Sequence, residues 1–385
     1  MKTMIKFEID KMIKNKLFVG LSILTVFALA GIFFVGYHYS QLSLTEKHNE
    51  EKGVSELYEN KSILYAGNFD DQKVEDILSK YIEDYQKKEP EKRPFDLFSS
   101  NIADAFFPQG EDVYLKMNKA MENGKKLSMN QISLKKIKEI GFPFFKKGLT
   151  IGNYVRWDDF YKVTGSLFFV SCLLTILVCS SVFSGESSRN INQLLLSTKY
   201  GRTKLTRAKI IASTMVSVGL FLLIQVISFA MFFFYNKGFS GWDVSIQTNF
   251  SLNLFSFPAE LNQLQVELLS LVVQLFGVLF IVGTTLFISS MTKTTFSSLA
   301  ISLGIFALPL ALLKLFKDGM LNKLLYLFPI NNYNTETLLS IAGTSKGFLF
   351  PTFYANISFL LIFLLGLKLI FDLMIYLNIK NKSFN

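Results

Sequence analysis

"FSGESSRNINQLLLSTKYGRTKLTRAKIIAS", residues 183–213, is the stretch that decides the fold. An apolar run ends there at a single carboxylate, Glu186, and six basic residues follow before a second apolar run begins. A short basic segment between two long apolar runs is typical of a loop that joins two membrane-spanning helices. The stretch therefore predicts two neighbouring spans with a charged hairpin, residues 184–209, outside the membrane.

The rest of the chain repeats this apolar character. Hydrophobic residues make up 50% of the 385 positions, and 40 positions are Phe. Runs of about 18 or more apolar residues are long enough to cross a bilayer, and runs without alternation favour helices over a barrel. We predict an all-α polytopic membrane protein with six transmembrane helices: Leu17–Tyr37, Val163–Phe183, Ile210–Tyr235, Val266–Met291, Phe296–Phe316 and Phe353–Leu377.

The net charge of +10 is divided unevenly among the loops. The basic excess lies in residues 1–16, in the 184–209 hairpin and at the C-terminal tail, whereas the long segment 38–162 is nearly neutral. Cytoplasmic loops carry the Lys and Arg excess in membrane proteins. We therefore predict a multi-pass protein of the cell membrane, with both termini and the hairpin in the cytoplasm. This charge marks orientation and contact with membrane lipid, and it is no argument for nucleic-acid binding.

The chain divides into three predicted regions. Residues 1–37 hold the first span and, before it, an apolar stripe in "TMIKFEIDKMIKNK" (3–16) that predicts an interfacial helix. A longer start to the first span is the alternative. Residues 38–162 predict a small, mostly helical extracellular domain with helices at 70–88, 111–126 and 133–142. Residues 163–385 hold the other five spans.

The segment 317–354 is moderately apolar but too interrupted to span a membrane. Pro329 and the neighbouring polar residues break any long helix there. We predict short re-entrant helices that enter the outer leaflet, where protein can cover the freed backbone groups.

Few polar residues lie inside the predicted spans. Such groups line a transport pathway in some proteins and form ordinary interhelical hydrogen bonds in others, and the sequence leaves both readings open. No chain of Asp, Glu or His runs through the spans, which argues against a proton-driven pump. The candidate pathway residues are Gln225, Ser228, Gln274, Thr284 and Thr285.

The sequence contains no phosphate-binding loop, no hydrolase triad and no dinucleotide fingerprint, so we predict no catalytic residue, cofactor or metal of its own. Energy for transport must then come from a partner or an ion gradient. The hairpin predicts a surface for such a partner. We expect a short helix capped at Ser184 with Glu186 near its N-terminal end, then a leucine-rich segment and a tight basic turn at 200–202.

These residues resemble a known family. "FSGESSRNINQLLLSTKYGRTKLTRAKI" is similar to the hairpin of ABC-2-type permeases, the membrane subunits of type V ATP-binding-cassette exporters, which show an acid after span two, a "LLLS" segment and a basic turn into span three. Their six spans and internal termini also fit. The matching residues are Glu186, Leu194, Leu195, Leu196, Ser197, Arg202 and Lys209.

The resemblance implies a half-transporter. Two permeases, identical or paralogous, would pair, and two cytoplasmic ATPase subunits would bind ATP and the hairpins. The large 38–162 segment departs from the shortest members and resembles permeases of bacterial peptide and bacteriocin export or immunity operons. The hairpin residues that we expect to take part in ATPase coupling are Glu186, Arg189, Leu194, Leu195, Leu196, Tyr200, Arg202 and Lys204.

Three functions follow from these expectations. The first is export of an amphipathic or hydrophobic substrate, a peptide ahead of a lipid, since a mostly apolar bundle with few charges suits such a cargo better than an ion; sodium or drug export stays open. The second is a sensor or mechanical transmitter that moves the 38–162 domain without transport. The third is an immunity protein that only occupies the target of a toxin.

Overall fold

A computed structural model describes residues 1–38, 43–44, 49–87, 93, 95–108, 112–140, 148–252, 254–343 and 348–381. The described residues are mainly helical, and six helices are long and apolar enough to cross a membrane. Each of the six overlaps one predicted span, so the all-α polytopic fold is confirmed. The helices are α1 Lys2–Ile13, α2 Lys16–His38, α3 Val54–Leu64, α4 Asp71–Lys87, α5 Leu97–Phe106, α6 Val113–Glu122, α7 Ile137–Ile140, α8 Val155–Ser188, α9 Asn192–Ser197, α10 Thr206–Asn236, α11 Gln263–Met291, α12 Thr295–Leu315, α13 Gly319–Leu325, α14 Pro329–Asn332, α15 Thr335–Ala342 and α16 Phe353–Lys380.

The membrane bundle is organised around α8 and α11. These two helices pack along each other and are the most buried of the six long helices, while α2, α10, α12 and α16 pack around them. Alternate helix directions give the bundle two ends. We call the end with α1, α9 and the C-terminus the hairpin end, and the end with the 38–162 segment the domain end.

Helix α8 is much longer than its predicted apolar run. It has 34 residues, so it extends about 51 Å at 1.5 Å per residue and connects the two ends of the bundle. The predicted boundary of the domain at residue 162 therefore falls inside α8. Hydropathy alone does not show this length, because polar residues end the apolar run on both sides. Some of these residues, such as Asp158 and Glu186, are nevertheless buried by packing against other elements.

The domain between the first two spans is built around its own apolar core. The predicted helices at 70–88 and 111–126 are present as α4 and α6, whereas the one at 133–142 shortens to α7, with residues 141–142 outside the described part. Helices α3 and α5 were not predicted, and neither was the antiparallel pair β1 Gly67–Phe69 and β2 Leu149–Ile151. Three-residue strands are too short to show alternation.

The loop between α10 and α11 completes this core. Phe250 packs between Phe69 and Phe98, with ring centroids 5.7 Å from each. Phe255 packs on Phe106 with centroids 4.9 Å apart. Two segments far apart in the sequence therefore share one core, so the domain is joined to the bundle through α10 and α11 as well as through α2 and α8.

The segment 317–354 forms the short helices α13, α14 and α15 in its described part. It reaches the middle of the bundle, since a methyl group added at Gly277, half-way along α11, would lie 3.2 Å from Pro329 and 2.9 Å from the Phe168 ring. Short helices packed into the bundle are what the sequence predicts here. Their depth in a bilayer stays a prediction.

The shared core predicts a large effect of one aromatic residue outside the domain sequence. Phe250→Ala should destabilise the domain by about 3–5 kcal/mol, since it removes a buried ring and leaves a cavity. Limited proteolysis of the purified protein, with cleavage sites mapped by mass spectrometry, measures this as faster cutting within residues 49–140. Leu115→Ala is the control, because Leu115 is 69% exposed in the same domain. Equal cutting in both variants would contradict a shared core.

Candidate functional site

The hairpin between α8 and α10 differs from its prediction at the start. The expected short helix capped at Ser184 is wrong, because α8 continues through Ser184 and Glu186 to Ser188. Ser289 of α11 supports this continuation by accepting hydrogen bonds from the backbone N–H groups of Phe183 and Ser184, at 3.1 and 3.0 Å. Glu186 thus lies at the C-terminal end of a helix, where the helix dipole disfavours a negative charge.

Two lysines compensate the charge of Glu186. Lys11 of α1 donates to one carboxylate oxygen at 2.6 Å, and Lys209 of α10 donates to the other. Glu8 adds a second carboxylate 3.6 Å from Lys11. Glu186, Lys209 and Glu8 are all buried. The group contains two acids and two bases, so it is neutral as a whole, and it joins α1, α8 and α10 at the hairpin end.

The N-terminal helix is therefore part of the hairpin assembly. The structure separates α1, which ends at Ile13, from α2, which begins at Lys16, so the alternative of one longer first helix is excluded. α1 packs against α10, and Met12 is buried there. How α1 lies relative to a membrane surface remains the prediction made from its sequence.

A short polar link follows α8. Asn190 adopts the left-handed conformation with φ 58°, and the N–H of Ile191 donates to the carbonyl of Glu186 at 3.1 Å. This pattern is a Schellman-type ending, in which a left-handed residue lets the chain satisfy the last helical carbonyls. The chain then turns into α9, which carries the leucine-rich segment.

The return from α9 to α10 requires a glycine. A methyl group at Gly201 would lie 1.9 Å from the carbonyl oxygen of Leu195, closer than any real contact. Arg202 holds the same turn by donating from Nε to the Leu196 carbonyl at 3.3 Å. A π-helical turn, Gly201–Leu205, then leads into α10. The hairpin is therefore compact, with the backbone of the turn in contact with α9.

The coupling residues expected from the sequence fall into two groups. Leu194 is 70% exposed. Tyr200 follows later in the hairpin, and the Lys204 ammonium group lies over its ring, 4.2 Å from the ring centroid. Arg189 is also exposed. An exposed leucine and an aromatic ring with lysines over it are thus available at the surface of one hairpin. Leu195 and Arg202 are partly buried, and Glu186 and Leu196 are buried, so these four are placed to hold the shape of the hairpin. A role in ATPase coupling stays a prediction for all eight residues.

The candidate pathway residues also separate into two groups. Gln225 of α10 donates to Gln274 of α11 at 3.3 Å, and Gln274 donates to the Tyr333 carbonyl at 3.1 Å. Ser228 is buried on the same helix as Gln225. These contacts link α10, α11 and the 317–354 segment, so they serve as interhelical hydrogen bonds in this conformation.

Thr284 and Thr285 lie further along α11, beside a small cavity. Thr285 and Thr284 line it together with Pro309 of α12 and Pro329, and Thr284 also donates to the Phe280 carbonyl at 2.9 Å. The structure does not join this cavity to the glutamine pair among the described residues. A pathway role therefore stays a prediction for all five residues.

Sequence reasoning missed the ionisable groups of the spans. Lys368 and Asp372 form an ion pair one turn apart on α16, and Gly283 of α11 lets the Lys368 backbone approach closely. Glu267 of α11 is fully buried near the domain end. The i, i+4 spacing of Lys368 and Asp372 was a usable signal, whereas nothing in the sequence shows that Glu267 is buried. Among the described residues, no cluster of three or more His, Cys, Asp or Glu is arranged to hold a metal.

Residues 3–383 match the family model described as ABC-2 family transporter protein, so the match extends across the hairpin, the domain and all six long helices. The chain belongs to the ABC-2 transporter family. No curated protein and no solved structure matches it. Family members are multi-pass membrane components without a nucleotide-binding domain of their own, and the family implies an ABC ATPase as partner. The resemblance seen in the hairpin is confirmed, while its peptide and bacteriocin specificity is a separate proposal.

The close approach at Gly201 predicts a strong local effect of one methyl group. Gly201→Ala should force the basic turn away from α9 and expose its backbone to protease. The measurement is the initial rate of trypsin cleavage after Lys199, Arg202 and Lys204 in the purified protein. Gly219→Ala is the matched control, since nothing lies within 4 Å of a methyl group at Gly219 of α10. An unchanged rate in Gly201→Ala would show that the turn does not depend on this contact.

The buried charges predict unequal effects of two lysines. Lys209→Met should cost about 3–5 kcal/mol, because it leaves Glu186 buried with one partner fewer. Lys11 is 41% exposed at its side chain, so Lys11→Met should cost at most about 1 kcal/mol.

Thermal unfolding in detergent measures both effects, and the double variant Lys209→Met/Glu186→Gln tests their origin. The double variant should recover part of the loss, since it removes the uncompensated charge. If Lys209→Met were no worse than Lys11→Met, the buried network would not hold α10 to α8.

Proposed function

We propose that the chain is the membrane-spanning permease of an ATP-driven exporter, powered by separate cytoplasmic ATPase subunits that bind the hairpin. The observation that carries this proposal is the exposed Leu194 on a hairpin whose base is fixed by the buried Glu186 network. An exposed apolar side chain on a basic hairpin suits a protein contact better than water, since apolar anchors with polar rims are typical of binding surfaces.

The helices attached to the hairpin can carry force into the bundle. α8 ends inside the hairpin and α10 begins inside it, and α8 continues without a break to the domain end. A displacement of the hairpin by an ATPase would therefore shift both helices relative to α11. ATP is bound by the ATPase, and this chain supplies the surface and the helices that move.

A second permease, identical or paralogous, would complete the transporter. α2 and α12 bury little of their surface within the chain and expose large apolar side chains such as Phe27 and Phe296. Two chains would place two hairpins toward two ATPase subunits. The basic excess at the hairpin end supports a cytoplasmic location for both termini and an extracellular location for the domain.

The substrate that fits best is amphipathic or hydrophobic, and a peptide is the class that we favour. The faces of the long helices are mainly apolar, and the bundle contains amide and hydroxyl groups, such as those of Gln225, Gln274 and Thr284, that can hydrogen-bond a peptide backbone. Transport direction is outward in this proposal, because the hairpin resembles that of ATP-binding-cassette exporters.

The shared core of the domain favours a second candidate function, mechanical transmission to the outside. The loop that contributes Phe250 and Phe255 connects directly to α10, so movement of the hairpin also pulls on the domain. A transmitter would hydrolyse ATP through its partner and move the domain without moving substrate. An immunity protein that only occupies a target is the third alternative, and it requires no ATPase.

The hairpin surface predicts the behaviour of one substitution. Leu194→Asp should abolish co-purification of a cytoplasmic ATPase from the native host while leaving the thermal unfolding of the permease unchanged. Leu115→Asp is the control, because it places the same charge at an equally exposed leucine of the domain. The proposal fails if an ATPase is retained equally by both variants, or if wild type retains none in several mild detergents.

A vesicle assay separates the exporter from the transmitter. The permease is reconstituted with its ATPase, and ATP-dependent movement of fluorescent hydrophobic peptides across the bilayer is followed together with ATP hydrolysis. Peptide movement that requires ATP supports export. Hydrolysis without movement of any peptide or labelled lipid supports the transmitter.

A further inference from the structure

Glu267 is a buried acid that the coupling mechanism does not use. It lies in the second turn of α11 at the domain end, at the opposite end of the bundle from Glu186, and its exposed fraction is 0%. Its carboxyl oxygen Oε2 is 3.5 Å from the Thr164 hydroxyl of α8, which already donates to the Tyr161 carbonyl at 3.2 Å. The other oxygen, Oε1, has no partner among the described residues.

Other polar groups around Glu267 are also without partners in the described part of the chain. Gln263, one turn earlier on α11, has an unpaired amide nitrogen, and Ser270, one turn later, has an unpaired hydroxyl group. Residues three or four apart lie next to each other on a helix face. Tyr37 of α2 contributes a further unpaired hydroxyl group and is near enough to feel the charge of Glu267.

Within the described residues, no cation lies beside the Glu267 carboxyl group, and its one polar partner there is the Thr164 hydroxyl. The contrast with Glu186, which has two lysines, is complete within the described residues. The titratable or charged groups on the described elements around this end of α11 include Tyr37 on α2, Tyr235 behind it on α10, Tyr161, Asp158, Asp159 and the exposed Lys162 on α8, Glu336 on α15 and Tyr354 on α16.

A charge in such a place is unfavourable. A buried carboxylate without a paired cation costs several kcal/mol, and a proton removes that cost without needing space. A neutral carboxyl group also gains an O–H donor, which the Thr164 hydroxyl oxygen can accept. The neutral acid is therefore the form that fits between α2, α8 and α11 as they are packed.

We propose that Glu267 is a proton-binding site, whose neutral carboxyl group is the form that stabilises the packing of α11 on α8 at the domain end. Release of the proton to water at that end leaves a carboxylate that needs hydrogen-bond donors. Gln263 and Ser270 on the same face of α11, and Tyr37 of α2, are unpaired donors beside it, and their side chains would have to turn toward the carboxylate to stabilise it. The packing of the domain end thus becomes linked to a proton, which goes beyond the coupling of the hairpin to ATP.

Infrared spectroscopy tests the site directly. Purified wild type in lipid nanodiscs at neutral pH should show the C=O stretch of a protonated carboxylic acid, and Glu267→Gln should lose this band. Asp96→Asn is the control, because Asp96 is also buried but has the Lys61 ammonium group 2.9 Å from its carboxylate. A band that is unchanged in Glu267→Gln, or absent from wild type, overturns the proposal.

The pH dependence of stability gives a second readout with a defined sign. A carboxyl group that is neutral when folded is ionised when unfolded, so wild type should lose stability as pH rises through the neutral range, by up to about tenfold in the folding equilibrium constant per pH unit. Glu267→Gln has no proton to lose. Its unfolding temperature should equal that of wild type at acidic pH and exceed it at alkaline pH. Parallel pH profiles for the two proteins, or a Glu267→Gln protein that is less stable at every pH, overturn the proposal.

Discussion

A buried carboxylate at the C-terminal end of a helix is the constraint on which the hairpin end depends. Glu186 occupies the last turns of α8, where both the helix dipole and burial oppose a negative charge. Lys11 and Lys209 offset this, and they come from elements 175 and 23 residues away in the sequence. The ionic network therefore fixes the N-terminal helix, the second span and the third span relative to one another. Because this network holds the base of the hairpin, the exposed part that carries Leu194 is held in place as well.

The two ends of the bundle differ in the polar partners that surround a buried glutamate. At the hairpin end, acids and bases compensate each other and the helices are held together. At the domain end, Glu267 has hydroxyl and amide neighbours but no cation beside it in the part of the chain that the structure describes. α8 and α11 pack along each other between these ends, and the core of the large domain is attached to α10 and α11 through Phe250 and Phe255. In the proposed mechanism, motion imposed at the hairpin end would reach the domain end through these packed elements.

The sequence predicted the features that depend on local composition. Long apolar runs sufficed to place six spans, and the loop charges indicated one end of the bundle. Contacts between residues far apart in the sequence could not be predicted from it. Ser289 supports α8 past the predicted cap at Ser184, and no local pattern shows which serine will face a backbone on another helix. Phe250 and Phe255 lie about 100 residues from the domain that they complete, so the two-segment core could not be read from a continuous stretch. Gly201 was noted as part of a turn, but its contact with the Leu195 carbonyl needed coordinates.

The most direct test of the rigid hairpin end is a distance measured while the ATPase works. Spin labels would be placed at Phe7 of α1 and Gln193 of α9, which are both exposed. Pulsed electron paramagnetic resonance in nanodiscs would measure the distance between them, with and without ATPase and ATP. A narrow distance distribution that ATP leaves unchanged, together with an ATP-dependent change between Gln193 and Leu115 of the domain, is the predicted result. A Phe7–Gln193 distance that broadens or shifts with ATP would contradict the claim that the Glu186 network makes α1 and the hairpin one moving unit.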